Sequence, residues 1–418
     1  MASLAGNLAD AYPHARQLHE ETQEEKDFRA HNKFPEFEAT MPALPSRRRA
    51  DLIDTFTSWL GQKNPIHHRV DPAKDSVWLL DNTAYRPPHA DAEQWEAEFV
   101  IAYFIKNSGE DVSKIAADVA EKIGIGAGDA QEKTIAERLQ PLLDSILPAH
   151  TVSVDINPNG STQLGPSDEN GISSQLVNIW DDRADGDTRV FNAVGIQSAT
   201  PCRTTFAEPS GWAVISDIDD TIKLTMTSSP VGILKTTFAE PFTPITGMPE
   251  LYKHLNEKLS NPPFWYLSAS PYNLYPFLRE FREQYYPAGT LILRDASWMN
   301  LGGFLASLTQ GTQAYKVDRM MKVHKWFPNR KFVCLGDSTQ SDPEAYAEMY
   351  RRDPSWIGKI FIRKVTGVAE IDETEKNSDE RFEKAFKGVP NDIYYIFEKP
   401  EEVYEYVDAL VGSKDVKG

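Results

Sequence analysis

The stretch Gly211-Trp-Ala-Val-Ile-Ser-Asp-Ile-Asp-Asp-Thr221 constrains the chain more than any other. Its apolar run, Trp212 to Ile215, leads straight into three carboxylates. A short apolar run bounded by turn residues fits a strand buried on both faces, as in a parallel sheet. Ligands of open α/β sheets gather just beyond the carboxyl ends of such strands. Asp217 and Asp219 are therefore expected at a sheet rim. Uncompensated carboxylates are costly to bury there, and a divalent cation is the usual remedy.

From Gly211 onward the pattern alternates strand and helix. Strands are expected at 212–215, 264–267, 290–294, 331–335, 360–362 and 394–397, and helices at 249–259, 275–285 and 316–327. That alternation requires crossover connections and a parallel sheet.

The preceding region has a different rhythm. Trp95, Ala97, Phe99, Ile101, Tyr103 and Ile105 alternate as one strand face. Further strands are expected at 77–80, 151–156 and 189–197, with helices at 110–124 and 130–147 and a loop-like stretch at 157–171. The six residues Thr204–Pro209 recur as Thr236–Pro241, too short a match to establish a repeat. Residues 1 to about 40 are polar and read as a mobile or loosely docked tail, with room for a short helix. Pro42-Ala-Leu-Pro-Ser-Arg47 fits a Pro-x-x-Pro-x-Arg ligand for SH3 domains. The ordinary reading is the start of an amphipathic helix reaching Leu60, with Ser46 as cap and Leu52, Ile53, Phe56, Trp59 and Leu60 inward.

The net charge of −18 weighs against nucleic acid as a partner. Two distant cysteines, Cys202 and Cys334, offer no disulfide framework and suit a reducing compartment. The N-terminus shows no secretion signal, and no apolar run reaches the length of a membrane span. The chain is read as cytoplasmic, visiting a membrane peripherally if it works on one.

Four features follow predicted strands or open a predicted helix in the C-terminal half: Asp217-x-Asp219-x-Thr221, Ser268, Lys316, and Gly336-Asp337 with Asp342 five residues on. Each alone has an ordinary explanation as a turn or helix cap. Together, Val214–Lys223, Tyr266–Pro271 and Leu335–Tyr346 resemble the fungal actin-patch phosphatidate phosphatases, within the haloacid dehalogenase-like phosphatase superfamily. The resemblance covers about residues 203–368.

The resemblance implies an α/β fold class: a C-terminal haloacid dehalogenase-like doubly wound parallel sheet over 210–418. A smaller β-rich (α+β) domain over 76–209 and an N-terminal flexible tail with an amphipathic helix over 1–75 precede it. It implies Mg²⁺-dependent hydrolysis of phosphatidate through an aspartyl-phosphate, at a membrane surface or cortical actin patch. By match to the motifs, Asp217 is the nucleophile, Asp219 the acid and base, and Lys316 the charge balance. Ser268, with Ser270 as runner-up, would bind the phosphoryl group, and Thr221 would fix the turn. Mg²⁺ would sit on Asp217, Asp337, the main-chain carbonyl of Asp219, and Asp342 directly or through a neighbour. Lys322 and Lys325 compete with Lys316 for its role, Asp220 falls outside the mechanism, and His324 reads as structural.

The short intervals between these motifs leave no room for a large lid, so an open site is expected. Met226–Pro244 and Trp298–Leu305 are apolar enough to dip into a bilayer, or to pack internally. Two other functions fit the same residues: a phosphatase for soluble or protein-borne phosphomonoesters, and an endocytic scaffold that binds SH3 domains.

Overall fold

The computed structural model describes residues 20–41, 64–65, 67–88, 91, 93–106, 108, 112–125, 130–157, 160–295, 301–367 and 373–412. Pro42–Arg47, the helix expected over 46–60 and residues 298–300 lie outside the described residues.

Within the N-terminal segment, residues 20–41 are not a loose tail. Thr22 opens α1 (Gln23–His31) with a capping box, its hydroxyl accepting the Glu25 amide while Glu25 accepts the Thr22 amide. A turn through Lys33 leads to α2 (Phe34–Glu38). Glu25, Arg29 and Phe34 are buried. The polar composition misleads because its charges are paired: Arg29 contacts Glu38 at 2.9 Å and donates to Thr309 Oγ1.

The β-rich part contains two sheets. β1 (His68–Arg69), β5 (His150–Asn157) and β6 (Gly160–Leu164) form the smaller one. The larger holds β2 (Asp75–Leu79), β3 (Asn82–Tyr85), β4 (Gln94–Ile105), β7 (Ile172–Trp180), β8 (Thr188–Phe191) and β9 (Cys202–Ala207). Trp95, Phe99 and Tyr103 of β4 share one core with Val152, Val154 and Ile156 of β5. Beyond Ile101 the alternation of β4 ends, because Ala102 and Phe104 are buried on the opposite face. There they meet α3 (Val112–Lys122) and α4 (Ala130–Leu143). The expected loop at 157–171 contains β6. β7 and β9, absent from the sequence reading, mix polar and apolar residues and pair with β4 and β3.

β10 (Trp212–Asp217), β11 (Phe264–Pro271), β12 (Thr290–Arg294), β13 (Lys331–Asp337), β14 (Ile357–Arg363) and β15 (Tyr394–Phe397) form a sheet in the order β12-β11-β10-β13-β14-β15. Every pair in it is parallel. Alternate residues feed two separate cores: Val214, Tyr266, Leu335 and Phe361 one, Ile215, Trp265, Cys334 and Ile360 the other. Both faces are therefore covered, as near-continuous apolar strands demand.

The connections are α5 (Pro230–Leu234), which runs into a π-helical turn at Lys235–Ala239, α6 (Met248–Lys258), α7 (Tyr275–Tyr285), α8 (Leu301–Thr309), α9 (Thr312–Trp326) and α10 (Asp342–Arg352). α11 (Glu373–Lys376), α12 (Asp379–Ala385) and α13 (Tyr404–Gly412) complete the described chain. Ile233, Leu234, Phe238, Leu301, Phe304 and Leu305 are buried in one core, with the Phe238 and Phe304 rings 5.2 Å apart. The described parts of both apolar stretches thus pack internally. Burial of each such side chain contributes about 1.5–3 kcal/mol, which favours packing over exposure to a bilayer.

Candidate active site

Asp217 and Asp337 end the adjacent parallel strands β10 and β13. Asp342 opens α10 and returns to the same point, its Oδ2 accepting the Asp337 amide at 3.1 Å. Gly336 makes that return possible, since a Cβ there would stand 2.5 Å from the Asp342 Cβ. Asp217, Asp337 and Asp342 each offer an oxygen within 4.8 Å of the others, and all three are buried.

Lys316, on the second turn of α9, reaches into this group. Its Nζ lies 2.7 Å from Asp217 Oδ1 and also contacts Asp342 Oδ1. Burial works against its charge, but Asp217, Asp342 and Asp337 outweigh burial and raise its pKa. Lys322 instead pairs with Glu98, Lys325 is exposed, and His324 pairs with Asp353 at 3.0 Å. Thr221 Oγ1 lies 3.0 Å from Asp217 Oδ2 and 3.1 Å from Asp337 Oδ2, bridging the two strand ends.

Three carboxylates here face one ammonium. Burial, then repulsion from Asp342, pushes the Asp337 carboxyl up to about 7. The same two causes raise Asp217 well above the ordinary carboxylate range. An all-oxygen donor set with this surplus of negative charge fits a hard divalent cation.

Asp219 points elsewhere. Ser268 Oγ donates to its Oδ2 at 2.5 Å, and Thr225 Oγ1 donates to its Oδ1 at 2.8 Å. Ser270 is buried and gives its amide to Ser268 Oγ at 2.9 Å. The site therefore has two carboxylate centres: Asp217 beside Asp337, Asp342 and Lys316, and Asp219 held by hydroxyl donors on the β11 side.

The site is enclosed, contrary to the open rim expected from the spacing. Asp217, Asp219 and Lys316 are 1%, 3% and 0% exposed. The short connections that rule out a lid domain still supply cover: Thr236, in the turn after α5, donates to the Thr225 carbonyl at 2.8 Å. A cavity of about 610 Å³ lies alongside, between α1 and the 339–341 loop, lined in part by Glu25, Thr312, Thr339, Ser341 and Arg381.

Residues 212–364 match the sequence family described as phosphatidate phosphatase APP1, catalytic domain. This segment belongs to that family. A Saccharomyces cerevisiae protein named phosphatidate phosphatase APP1 is 29% identical over 250 residues, covering 56% of this chain and 41% of the relative. An uncharacterized protein of Schizosaccharomyces pombe is 29% identical over 178 residues, covering 40% of this chain and 28% of the relative. The chain thus aligns with less than half the length of either relative.

The APP1-family segment also contains supporting residues to which the sequence reading gave no role. Asp220 adopts a left-handed φ of 61° and its carboxylate accepts the amides of Thr225, Met226 and Thr227 at 2.7–2.9 Å. It also accepts the Thr227 hydroxyl at 2.7 Å. Asp220 thereby shapes the loop that brings Thr225 to Asp219. Lys223 is buried, with its pKa lowered by burial against the pull of Asp219 and Asp220, and donates to Thr225 at 2.9 Å. Thr339 donates its amide and hydroxyl to Asp337. The stretch 225–229, hydroxyl-bearing at every position but Met226, is the local sign of this network in the sequence. Arg363 clamps the loop from β14, its Nε donating to the Asp220 carbonyl at 3.1 Å.

Proposed function

We propose that this protein is a Mg²⁺-dependent phosphatidate phosphatase of haloacid dehalogenase type, releasing phosphate and diacylglycerol. The observation that carries the reading is the meeting of Asp217, Lys316, Asp337 and Asp342 at the ends of adjacent parallel strands. The family match over 212–364 supports the substrate.

In this reading Asp217 attacks phosphorus and forms an aspartyl-phosphate, which water then hydrolyses. Asp219 first gives a proton to the departing alkoxide and then takes one from the attacking water. Its two hydroxyl donors keep it apart from the cation side, so one carboxyl serves both proton directions. Lys316 balances charge on Asp217 and on the transferring group. Asp217, Asp337 and Asp342 would hold Mg²⁺, with the Asp219 main-chain carbonyl, and the ion would supply charge neutralisation to an anion-on-anion attack. Ser268, with Ser270 beside it, would guide the phosphoryl group once the Ser268 hydroxyl leaves Asp219. Thr221 fixes the turn that follows Asp217 and ties it to Asp337.

We further propose that residues 210–418 form the catalytic unit, that 76–209 form an accessory β-rich unit and that 1–75 precede both. The protein would act in the cytoplasm, peripherally at membranes or cortical actin patches. No helix among the described residues is long and apolar enough to cross a membrane. Pro42–Arg47 would recruit SH3 domains, and deleting it should abolish SH3 pull-down if so.

A second reading keeps the chemistry but replaces the lipid with a soluble or protein-borne phosphomonoester, and the enclosure of Asp217 and Asp219 favours it. Phosphate release from phosphatidate in mixed micelles, beside sugar phosphates and phosphopeptides, separates the two. The lipid reading expects release from phosphatidate at least ten-fold above the soluble esters. Release from soluble esters alone would contradict it.

A further inference from the structure

α9 carries Lys316, yet its own sequence leaves its N-terminus uncapped. The helix starts at Thr312, after Gly311 in a left-handed conformation, and no side chain of the preceding residue accepts its first amides. Such amides need acceptors when buried. The acceptor comes from α1, 287 residues away in sequence. Glu25 Oε1 accepts the Thr312 amide at 2.8 Å, the Gln313 amide at 3.2 Å and the Thr312 hydroxyl at 2.8 Å. Its other oxygen accepts the Thr22 amide at 2.8 Å. One buried carboxylate therefore terminates two helices, and its charge suits the positive end of α9.

The contact reaches further. Ser341 Oγ lies 2.7 Å from Thr312 Oγ1, which already donates to Glu25, and Ser341 immediately precedes Asp342. Arg29, a turn along α1, donates to Thr309 Oγ1 at 2.5 Å, in the last turn of α8 just before Gly311. The N-terminal segment thus holds the α8–α9 joint at Thr309 and at Thr312, and is linked to the base of α10 through the Thr312 hydroxyl. None of its groups in these bonds touches Asp217, Asp219 or Asp337.

We propose that Glu25 is a positioning residue: it holds α9, and with it Lys316, in register with the carboxylates of the strand ends. This rests on the role proposed above for Lys316. A small displacement of a charged group in such a site costs far more in turnover than in substrate binding.

The test uses the full chain as wild type, Glu25→Ala and Glu25→Gln, with two readouts. Amide exchange over residues 311–318 reports the cap, and steady-state phosphate release reports Lys316. Glu25→Ala should speed exchange at 312–316 and lower kcat about ten-fold with KM unchanged. Glu25→Gln keeps an acceptor oxygen and should recover most of both. Unchanged exchange in Glu25→Ala overturns the cap. Faster exchange with kcat within about two-fold of wild type overturns the link to Lys316. Should Glu25→Ala fail to fold, Thr312→Val removes the shared hydroxyl but keeps the amide bonds; it should lower kcat about three-fold at constant KM, and a wild-type kcat overturns the proposal. Wild-type protein that releases no phosphate from any ester contradicts the phosphatase reading instead, and the exchange readout alone then decides whether Glu25 holds α9.

Discussion

Lys316 Nζ stands 2.7 Å from Asp217 Oδ1, and both side chains are almost wholly buried. Among the described residues the lysine is the one cation paired with this group of three acids, so its removal leaves their charge without a paired cation. Breaking a buried pair in this way costs about 3–5 kcal/mol. Lys316→Met should therefore lower the urea midpoint in the presence of chelator and reduce phosphate release by about 10²–10³. An unchanged midpoint with normal turnover would show that Lys316 balances nothing.

Gly336 is tied to Asp342 by a single close approach. Gly336→Ala puts a methyl group where the Asp342 Cβ and Cγ lie, 2.5 and 2.6 Å from the new carbon. Asp342 must move, and with it one of the three oxygens offered to a cation. Overpacking of this kind costs about 1–3 kcal/mol. The variant should fold but gain less thermal stability from added Mg²⁺ than wild type does. Equal stabilisation of the two proteins would remove Asp342 from the cation set.

Asp220 touches no reacting group in this account, yet its substitution should impair turnover. Its Oδ2 accepts both the amide and the hydroxyl of Thr227, and an Asn there cannot accept the amide with its NH₂ group. Loss of such a bond costs about 1–3 kcal/mol. Asp220→Asn should lower the melting temperature and also kcat, because the loop that delivers Thr225 to Asp219 loosens. Asp219→Asn should instead abolish turnover with the melting temperature preserved. Identical thermal behaviour of the two variants would contradict the division of labour between these neighbours.

Asp168 supplies a pH test away from the cluster. Burial is the main cause that raises its pKa from 3.8 to about 6, against the pull of the Ile172 and Asn170 amides. A carboxyl with a folded-state pKa above its unfolded value holds extra protons when folded. Its favourable contribution is complete below about pH 4 and is lost as pH rises through about 6. Asp168→Asn should therefore be more stable than wild type at pH 8, by roughly 1 kcal/mol after solvent screening, with the difference vanishing near pH 4. The loop matters beyond itself, since the Asn170 carbonyl accepts the Tyr272 hydroxyl at 2.6 Å. Parallel melting curves across this range would mean that Asp168 is not strained by burial.

The strands of the parallel sheet were legible because burial on both faces writes a plain apolar run into Trp212–Ile215, Phe264–Leu267 and Lys331–Leu335. β7 and β9 were not, because long-range pairing decides strands of mixed composition. Thr204–Pro209 and Thr236–Pro241 make the point with one sequence: the first copy lies largely in β9 and the second largely in the π-helical turn after α5. The partners differ, not the residues. Asp217, Lys316, Asp337 and Asp342 were findable from motif order along the chain. Glu25 was hidden because its partner lies 287 residues away, and a Glu-rich segment reads as solvated when no partner is known.

The most direct measurement compares wild type with Asp217→Asn on phosphatidate in mixed micelles, with and without Mg²⁺ chelation, alongside their melting temperatures. The account predicts turnover by wild type that chelator abolishes, and none by Asp217→Asn. It also predicts an unchanged or higher melting temperature for the variant, since one charge leaves a repelling cluster. Turnover by folded Asp217→Asn within about ten-fold of wild type would contradict the assignment of Asp217 as the nucleophile.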